Sequence, residues 1–271
     1  MAELTVVKIG GNIIDDSSKL NEFLDAFSNL PGKIVLVHGG GKMATDLASK
    51  LGIETKMHQG RRITNAENLK LVTMVYAGLV NKNIVAALQA RGVNALGVCG
   101  ADQNLLLAEK RNHPSTDYGY VGDITKVNTL ALCKQIECNA VMVVAPITHD
   151  GQGQLLNTNA DTIATEVAIA LSRFYKVKLI YSFEKPGVLI DAEDDGSLIS
   201  KLSAEDCALL VERGTINAGM LPKTENAFLA INSGVEEVVI GNFVSMENGH
   251  SAGTKLVKPS LPNKLIWKPA F

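Results

Sequence analysis

The strongest constraint on the fold of this chain is a set of short β-branched runs, several of them apolar on both faces. They occur at Leu4 to Ile9, Lys33 to Val37, Ala95 to Cys99, Ala140 to Ala145, Lys178 to Ser182 and Glu237 to Ile240. A run such as Val141-Met142-Val143-Val144 has no polar side for solvent, which is what a parallel strand covered by helices on both sides requires. Helical spacing fills the gaps: Leu20 to Leu30, Met43 to Leu51, Ala66 to Ala90, Leu130 to Ile136, Ile163 to Leu171, Ala204 to Val211 and Ala227 to Ile231. In the long segment, Leu69, Val72, Val75, Tyr76, Leu79, Val80 and Ile84 recur on one face, and Asn65 stands where a helix would be capped. The alternation predicts an α/β protein with an open, mainly parallel sheet between helical layers.

Composition narrows the function. With 26 basic against 28 acidic residues, and no lysine or arginine cluster, the chain lacks the footprint of a nucleic-acid binder. No apolar run approaching roughly 18 residues and no secretory leader is read from the sequence, so no membrane partner and a cytoplasmic location are expected. The four cysteines, Cys99, Cys133, Cys138 and Cys207, form no Cys-x-x-Cys pair, and the five histidines show no metal-ligand spacing. Free thiols, no protein-held metal and small-molecule partners follow as expectations.

Two familiar site patterns fail. His38-Gly39-Gly40-Gly41 and Gly249-His250-Ser251-Ala252-Gly253 mimic an esterase's oxyanion loop and nucleophile elbow. No histidine follows His250, however, and Pro259, Pro262 and Pro269 forbid the long helix that an elbow feeds. The Walker A and Gly-x-Gly-x-x-Gly fingerprints are absent.

What remains lies at strand ends. Lys8-Ile9-Gly10-Gly11-Asn12 closes the first strand and His38-Gly39-Gly40-Gly41 closes the second, at the carboxyl edge where open parallel sheets bind ligands. Glycines there let backbone N–H groups approach an anion, although such pairs also serve as plain tight turns. Lys8 interrupts an apolar strand, either to snorkel to solvent or to meet a phosphate. Gly219-Met220-Leu221-Pro222-Lys223 presents a second lysine just before a helix. In Asn157-Thr158-Asn159-Ala160-Asp161, Asn159 reads as an N-cap and Asp161 as a first-turn acid, which a structural cap alone would explain.

Taken in order, these segments resemble the amino acid kinase family, and within it the acylglutamate kinases of arginine biosynthesis. The matching motifs are Lys8-Ile-Gly-Gly-Asn12, Val37-His-Gly-Gly-Gly41, Gly60-Arg-Arg-Ile-Thr64, Tyr76-Ala-Gly-Leu-Val-Asn-Lys82, Gly119-Tyr-Val-Gly-Asp123, Asn157-Thr-Asn-Ala-Asp161 and Gly219-Met-Leu-Pro-Lys223. The resemblance implies a three-layer αβα sandwich (the amino acid kinase fold) with an N-terminal lobe, 1–171, for the acylated amino acid and dimerisation, and a C-terminal lobe, 172–271, for ATP. It implies transfer of the γ-phosphoryl group of ATP, accompanied by Mg2+ held mainly by phosphates, to a side-chain carboxylate.

Carried over by position, Lys8 and Lys223 would stabilise the transferring group and Asp161 would orient both. Gly10, Gly11, Gly187, Asn217 and Met220 would meet ATP, while Gly40, Gly41, Arg62 and Asn157 would bind the amino acid, Arg62 through its α-carboxylate. Where the family has Asn-Gly-Leu-Arg-Val-Thr, this chain reads Gln59-Gly60-Arg61-Arg62-Ile63-Thr64. The extra Arg61 either faces solvent or accommodates a carboxylate-bearing N-acyl group such as N-succinyl. The family's Ser/Thr-Asp-Val-x-Gly appears as Ser182-Phe183-Glu184-Lys185-Pro186-Gly187, with Phe183 in the aspartate's place. That departure leaves open a non-catalytic sensor. The first strand begins at Leu4, without the extra helix of hexameric, arginine-inhibited relatives, so a homodimer joined through the Ala66 to Ala90 helix is expected.

Overall fold

The computed structural model describes residues 1–58, 61–191, 193–216, 220–248, 250 and 252–258. Its first half runs β1 (Glu3–Ile9), α1 (Gly11–Ile14), α2 (Ser17–Ser28), β2 (Lys33–His38) and α3 (Gly41–Lys50). The hairpin β3 (Lys56–His58) and β4 (Arg61–Ile63) precedes one long helix, in which α4 (Ala66–Thr73) and α5 (Asn81–Gln89) are joined by a π-helical segment, Met74–Val80. Then come β5 (Ala95–Val98), β6 (Leu106–Lys110), β7 (Gly122–Val127), α6 (Thr129–Glu137), β8 (Val141–Val144), β9 (Ile147–His149), β10 (Leu155–Asn157) and α7 (Ala160–Leu171). The remainder is β11 (Lys176–Ser182), β12 (Lys201–Leu202), α8 (Ala204–Glu212), α9 (Leu221–Asn232), β13 (Glu237–Gly241), α10 (Phe243–Glu247) and β14 (Thr254–Leu256).

Eight strands form the main sheet in the order β12-β14-β13-β11-β1-β2-β8-β5. The six from β13 to β5 are parallel, and they are the six strand runs read from the sequence. β14 pairs antiparallel with β13, and β12 parallel with β14, so the two edge strands run backwards. Alternation along β1 sends Leu4 and Val6 to a core beneath α6, α7 and α9, and Val7 and Ile9 to a second core beneath α2, α3 and the long helix. Lys8 therefore lies on the α7 side, next to last in its strand. A four-stranded sheet, β10-β9-β6-β7, stands beside the main one and walls the cleft.

Two expectations change. Ala66–Gln89 is long and apolar enough to cross a membrane by length and composition, contrary to the expected absence of such a run. Its Leu69, Val72, Val75, Val80, Ile84 and Leu88 nevertheless belong to the second core, which is the behaviour of a core helix. Leu79, placed on the buried face by α-helical spacing, is 49% exposed. The π-helical turn adds residues per turn and rotates Leu79 out of the stripe. The described cysteines are all free thiols.

Candidate active site

Three elements bring the charged centre together. β1 delivers Lys8 beside Val37 of β2 and Tyr181 of β11. Asn159 caps α7 by accepting from the N–H groups of Asp161 (2.8 Å) and Thr162 (3.2 Å), which sets Asp161 in the first turn. Lys223 occupies the first turn of α9, started by Pro222. Lys8 Nζ lies 2.8 Å from Asp161 Oδ1, and Lys223 Nζ lies 3.2 Å from the same oxygen. Tyr181 floors the pair, with the Lys223 ammonium 5.5 Å from its ring centre. Lys8 is buried and Asp161 bridges two cations, so neither the snorkelling reading nor the cap alone accounts for them.

The electrostatics follow from that crowding. Burial opposes ionisation of Asp161, yet the two ammonium groups outweigh it and hold its carboxyl far below the usual carboxylate range. Burial, reinforced by repulsion from Lys8, pushes Lys223 down to about 8 against the pull of Asp161. The Lys223 charge is thus lost on the alkaline side, because a lysine carries charge only below its pKa. We expect kcat/KM, which reports the free protein, to fall as pH rises through about 8. In Lys223→Arg the limb should move to higher pH, since a guanidinium stays protonated. The pH profiles of both proteins check this.

Backbone donors line the neighbouring wall. Gly40 takes φ of 147°, and a β-carbon there would sit 3.1 Å from the Tyr76 ring. At Gly11 a β-carbon would sit 3.9 Å from the N of Lys42, so the turn after β1 lies against the start of α3. The N-cap of α3 is Gly40, which has no side chain to cap it, so Gly40 and Gly41 bring the favourable end of the helix dipole to the cleft they line. A β-carbon on Gly10 would stand 3.9 Å from Lys8 Nζ. Gly11, Gly40, Gly41, Lys8 and Asp161 share one cavity of about 230 Å³ with Arg61, Arg62, Tyr76 and Asn157.

Arg62 is buried and donates to Gly41 O (2.9 Å), Thr45 Oγ1 (2.7 Å) and Thr55 Oγ1 (3.1 Å). Among the described residues it has no carboxylate partner, so its charge is directed to the cavity. Asn157 donates to Thr64 Oγ1 at 3.0 Å. Arg61 is half-buried and lines the same cavity, near Arg111, Asp123 and Glu225. Tyr76 was legible only as a core residue. It also lies beside the Arg62 guanidinium and backs Gly40, and the π-helical turn that aims it has no marker in hydropathy.

The nucleotide-side residues are less gathered. Gly187 packs against Leu198 and Thr254, where a β-carbon would overlap Leu198 and sit 2.6 Å from Thr254 Oγ1. Met220 starts α9, packs on the first core and accepts from Lys223 N at 3.0 Å. Asn217 lies outside the described residues, as do Gly60 and Gly219 of the quoted motifs and Gly249 and Ser251 of the esterase-like pattern. Phe183 packs against the first core, and Glu184 turns away to bond Asn12 (3.0 Å) and Lys19 (2.8 Å). Among the described residues no group of three or more His, Cys, Asp or Glu is placed to hold a metal ion.

Fold and site together define an α/β protein whose cleft gathers two lysines, an aspartate and a helix N-terminus at the carboxyl edge of the sheet. The chain belongs to the amino acid kinase family, whose profile matches residues 3–242. A relative from Bacteroides fragilis, named acetylglutamate kinase, is 55% identical over 238 residues, 88% of this chain and 91% of its own. One of the same name from Phocaeicola vulgatus is 53% identical over 256 residues, 94% and 99% of the two chains. The solved N-acetylglutamate synthase from Neisseria gonorrhoeae, complexed with coenzyme A and N-acetyl-glutamate, superposes with a TM-score of 0.81 at 24% identity. That likeness of fold covers 95% of this chain and 60% of the synthase.

Proposed function

We propose that the chain is an acetylglutamate kinase, which moves the γ-phosphoryl group of ATP to the side-chain carboxylate of N-acetylglutamate in arginine biosynthesis. The Lys8–Asp161–Lys223 cluster beside the glycine wall carries this reading, together with identity above one half to relatives of that name. An ionised carboxylate is already a nucleophile, so positioning and charge stabilisation suffice and no general base is required. Lys8 and Lys223 take the charge that develops on the transferring oxygens, Asp161 holds both ammonium groups, and the N–H groups of Gly10, Gly11 and Gly40 line the path. Arg62 takes the α-carboxylate as a forked donor, with Asn157 and Gly41 completing that end. Gly187, Asn217 and Met220 serve the nucleotide, whose phosphates carry Mg2+.

Residues 1–171 act as the amino acid lobe and 172–271 as the ATP lobe, working as a cytoplasmic homodimer on small molecules rather than on nucleic acid or membrane. The exposed Met74 and Leu79 on the outer face of the long helix support that contact. A non-catalytic sensor would account for Phe183 but gives no reason for a buried lysine pair around one carboxylate. The place of Arg61 on the cavity favours a further substrate, N-succinylglutamate, whose extra carboxylate it would meet.

ADP release is measured with N-acetylglutamate, N-succinylglutamate, glutamate, aspartate and carbamate. Turnover of an N-acylated glutamate alone is expected. Turnover of aspartate or carbamate instead would refute the reading, and a clear preference for the acetyl substrate would defeat the succinyl extension. In Arg62→Ala, loss of a charged hydrogen-bond partner should raise KM for the amino acid by about 10- to 100-fold with a smaller change in kcat. Steady-state kinetics in both substrates test it.

A further inference from the structure

Beneath the glycine wall runs a buried polar chain that the reaction as described does not use. His38, fully buried at the end of β2, sets its Nδ1 2.7 Å from the carbonyl oxygen of Gly39. An oxygen can only accept, so Nδ1 carries the hydrogen and Nε2 is left as an acceptor. Asn81 supplies its donor: Nδ2 donates to His38 Nε2 at 3.1 Å and to Val143 O at 2.9 Å. Lys82 fixes the orientation of the amide by donating to Asn81 Oδ1 (3.1 Å), and it donates also to Gly97 O (3.0 Å). Gly97 must lack a side chain, since a β-carbon would stand 2.7 Å from Lys82 Nζ. Burial keeps the imidazole neutral, pushing His38 down to about 4.

The far end of this chain is a single peptide unit. The Gly39 carbonyl and the Gly40 N–H belong to one planar trans peptide, so they point in opposite directions. Gly39 N–H is itself held by Ile9 O at 3.0 Å. Pinning the carbonyl inward to His38 therefore turns the Gly40 N–H outward, to the cavity that Gly40 lines. Tyr76 presses on Gly40 from the same helix that supplies Asn81. In an α-helix residues five apart lie about 140° apart around the axis, so Tyr76 and Asn81 could not both face the loop. The π-helical segment Met74–Val80 closes that angle with its wider turn.

Resting on the kinase reading above, we infer that His38 and Asn81 are positioning residues for phosphoryl transfer, which aim the Gly40 N–H at the transferring group through the Gly39 carbonyl. The pair touches neither substrate. Its effect belongs to kcat rather than to either KM, because the donor is wanted most where charge develops.

Four variants test it. In His38→Gln the amide falls at the Nε2 position and the bond to Gly39 O is lost, while in His38→Asn the amide nitrogen falls at the Nδ1 position and that bond survives. We expect kcat to drop at least about tenfold in His38→Gln and Asn81→Ala with both KM values within about threefold, and to stay within about threefold of the parent in His38→Asn. Retained kcat in His38→Gln and Asn81→Ala overturns the inference, and so does an equal loss in His38→Asn, which would mark a merely structural histidine. Lys82→Met alters an exposed residue at the outer end and keeps the core intact whatever the others do. It should lower kcat about threefold, and unchanged turnover in it counts against the inference. Failure of the parent protein to release ADP strikes the kinase reading instead, so the two outcomes stay distinct.

Discussion

Lys8→Ala should lower turnover by about 10²- to 10³-fold while the protein remains folded, because it removes one of two cations from the place where charge develops on the transferring oxygens. The fold should survive, because Lys8 sits near the strand's end and, among the described residues, its charge is matched only by Asp161, which keeps Lys223 as a partner. KM for the amino acid should change little, since Arg62 rather than Lys8 holds that end. A Lys8→Arg variant should not recover the activity: the planar fork does not reproduce a compact ammonium held 2.8 Å from Asp161 Oδ1. Single-turnover rates, with circular dichroism to confirm folding, measure this.

Asp161→Ala should be costly in two ways. Two ammonium groups would face each other in a site that is only 9% and 11% exposed at their side chains, without the carboxylate between them. Breaking such a pair from one side costs about 3–5 kcal/mol, and Lys223 can escape part of that by shedding its proton, so we expect the lower end, about 3 kcal/mol. Turnover should fall at least as far as in Lys8→Ala, since both cations lose their aim. The carboxyl of Asp161 is held below its unfolded value of 3.8, so its contribution is fully present above that value and is lost as pH falls through the range beneath it. Denaturant midpoints of the two proteins should therefore differ at neutral pH and converge in strong acid. Equal midpoints at neutral pH would show that Asp161 holds nothing together.

The central parallel strands were legible because burial on both faces leaves a run with little polar alternation; at the edge of the sheet Ala95–Val98 keeps Leu96 38% exposed. The strands that escaped notice, such as Arg61–Ile63 and Leu155–Asn157, are three residues long and carry site side chains where a periodic signal would stand. Lys8, Asp161 and Lys223 could be singled out as charges in apolar or capping contexts. Their convergence could not be, because it depends on α7 and α9 meeting above β1 from positions more than sixty residues apart. Tyr76, Thr45 and Thr55, which steady Arg62, look like ordinary helix and loop residues in the sequence. The π-helical turn escaped for a related reason: its apolar residues fit an α-helical stripe until Leu79 is found in solvent.

The central claim is that this cluster transfers a phosphoryl group to a carboxylate, and the product identifies that event. ATP and N-acetylglutamate are incubated with the protein in the presence of hydroxylamine, which traps an acyl phosphate as its hydroxamate, with folded Lys8→Ala run in parallel. The account predicts hydroxamate in proportion to ADP from the parent protein and almost none from the variant. ADP without hydroxamate, or equal hydroxamate from Lys8→Ala, would contradict it.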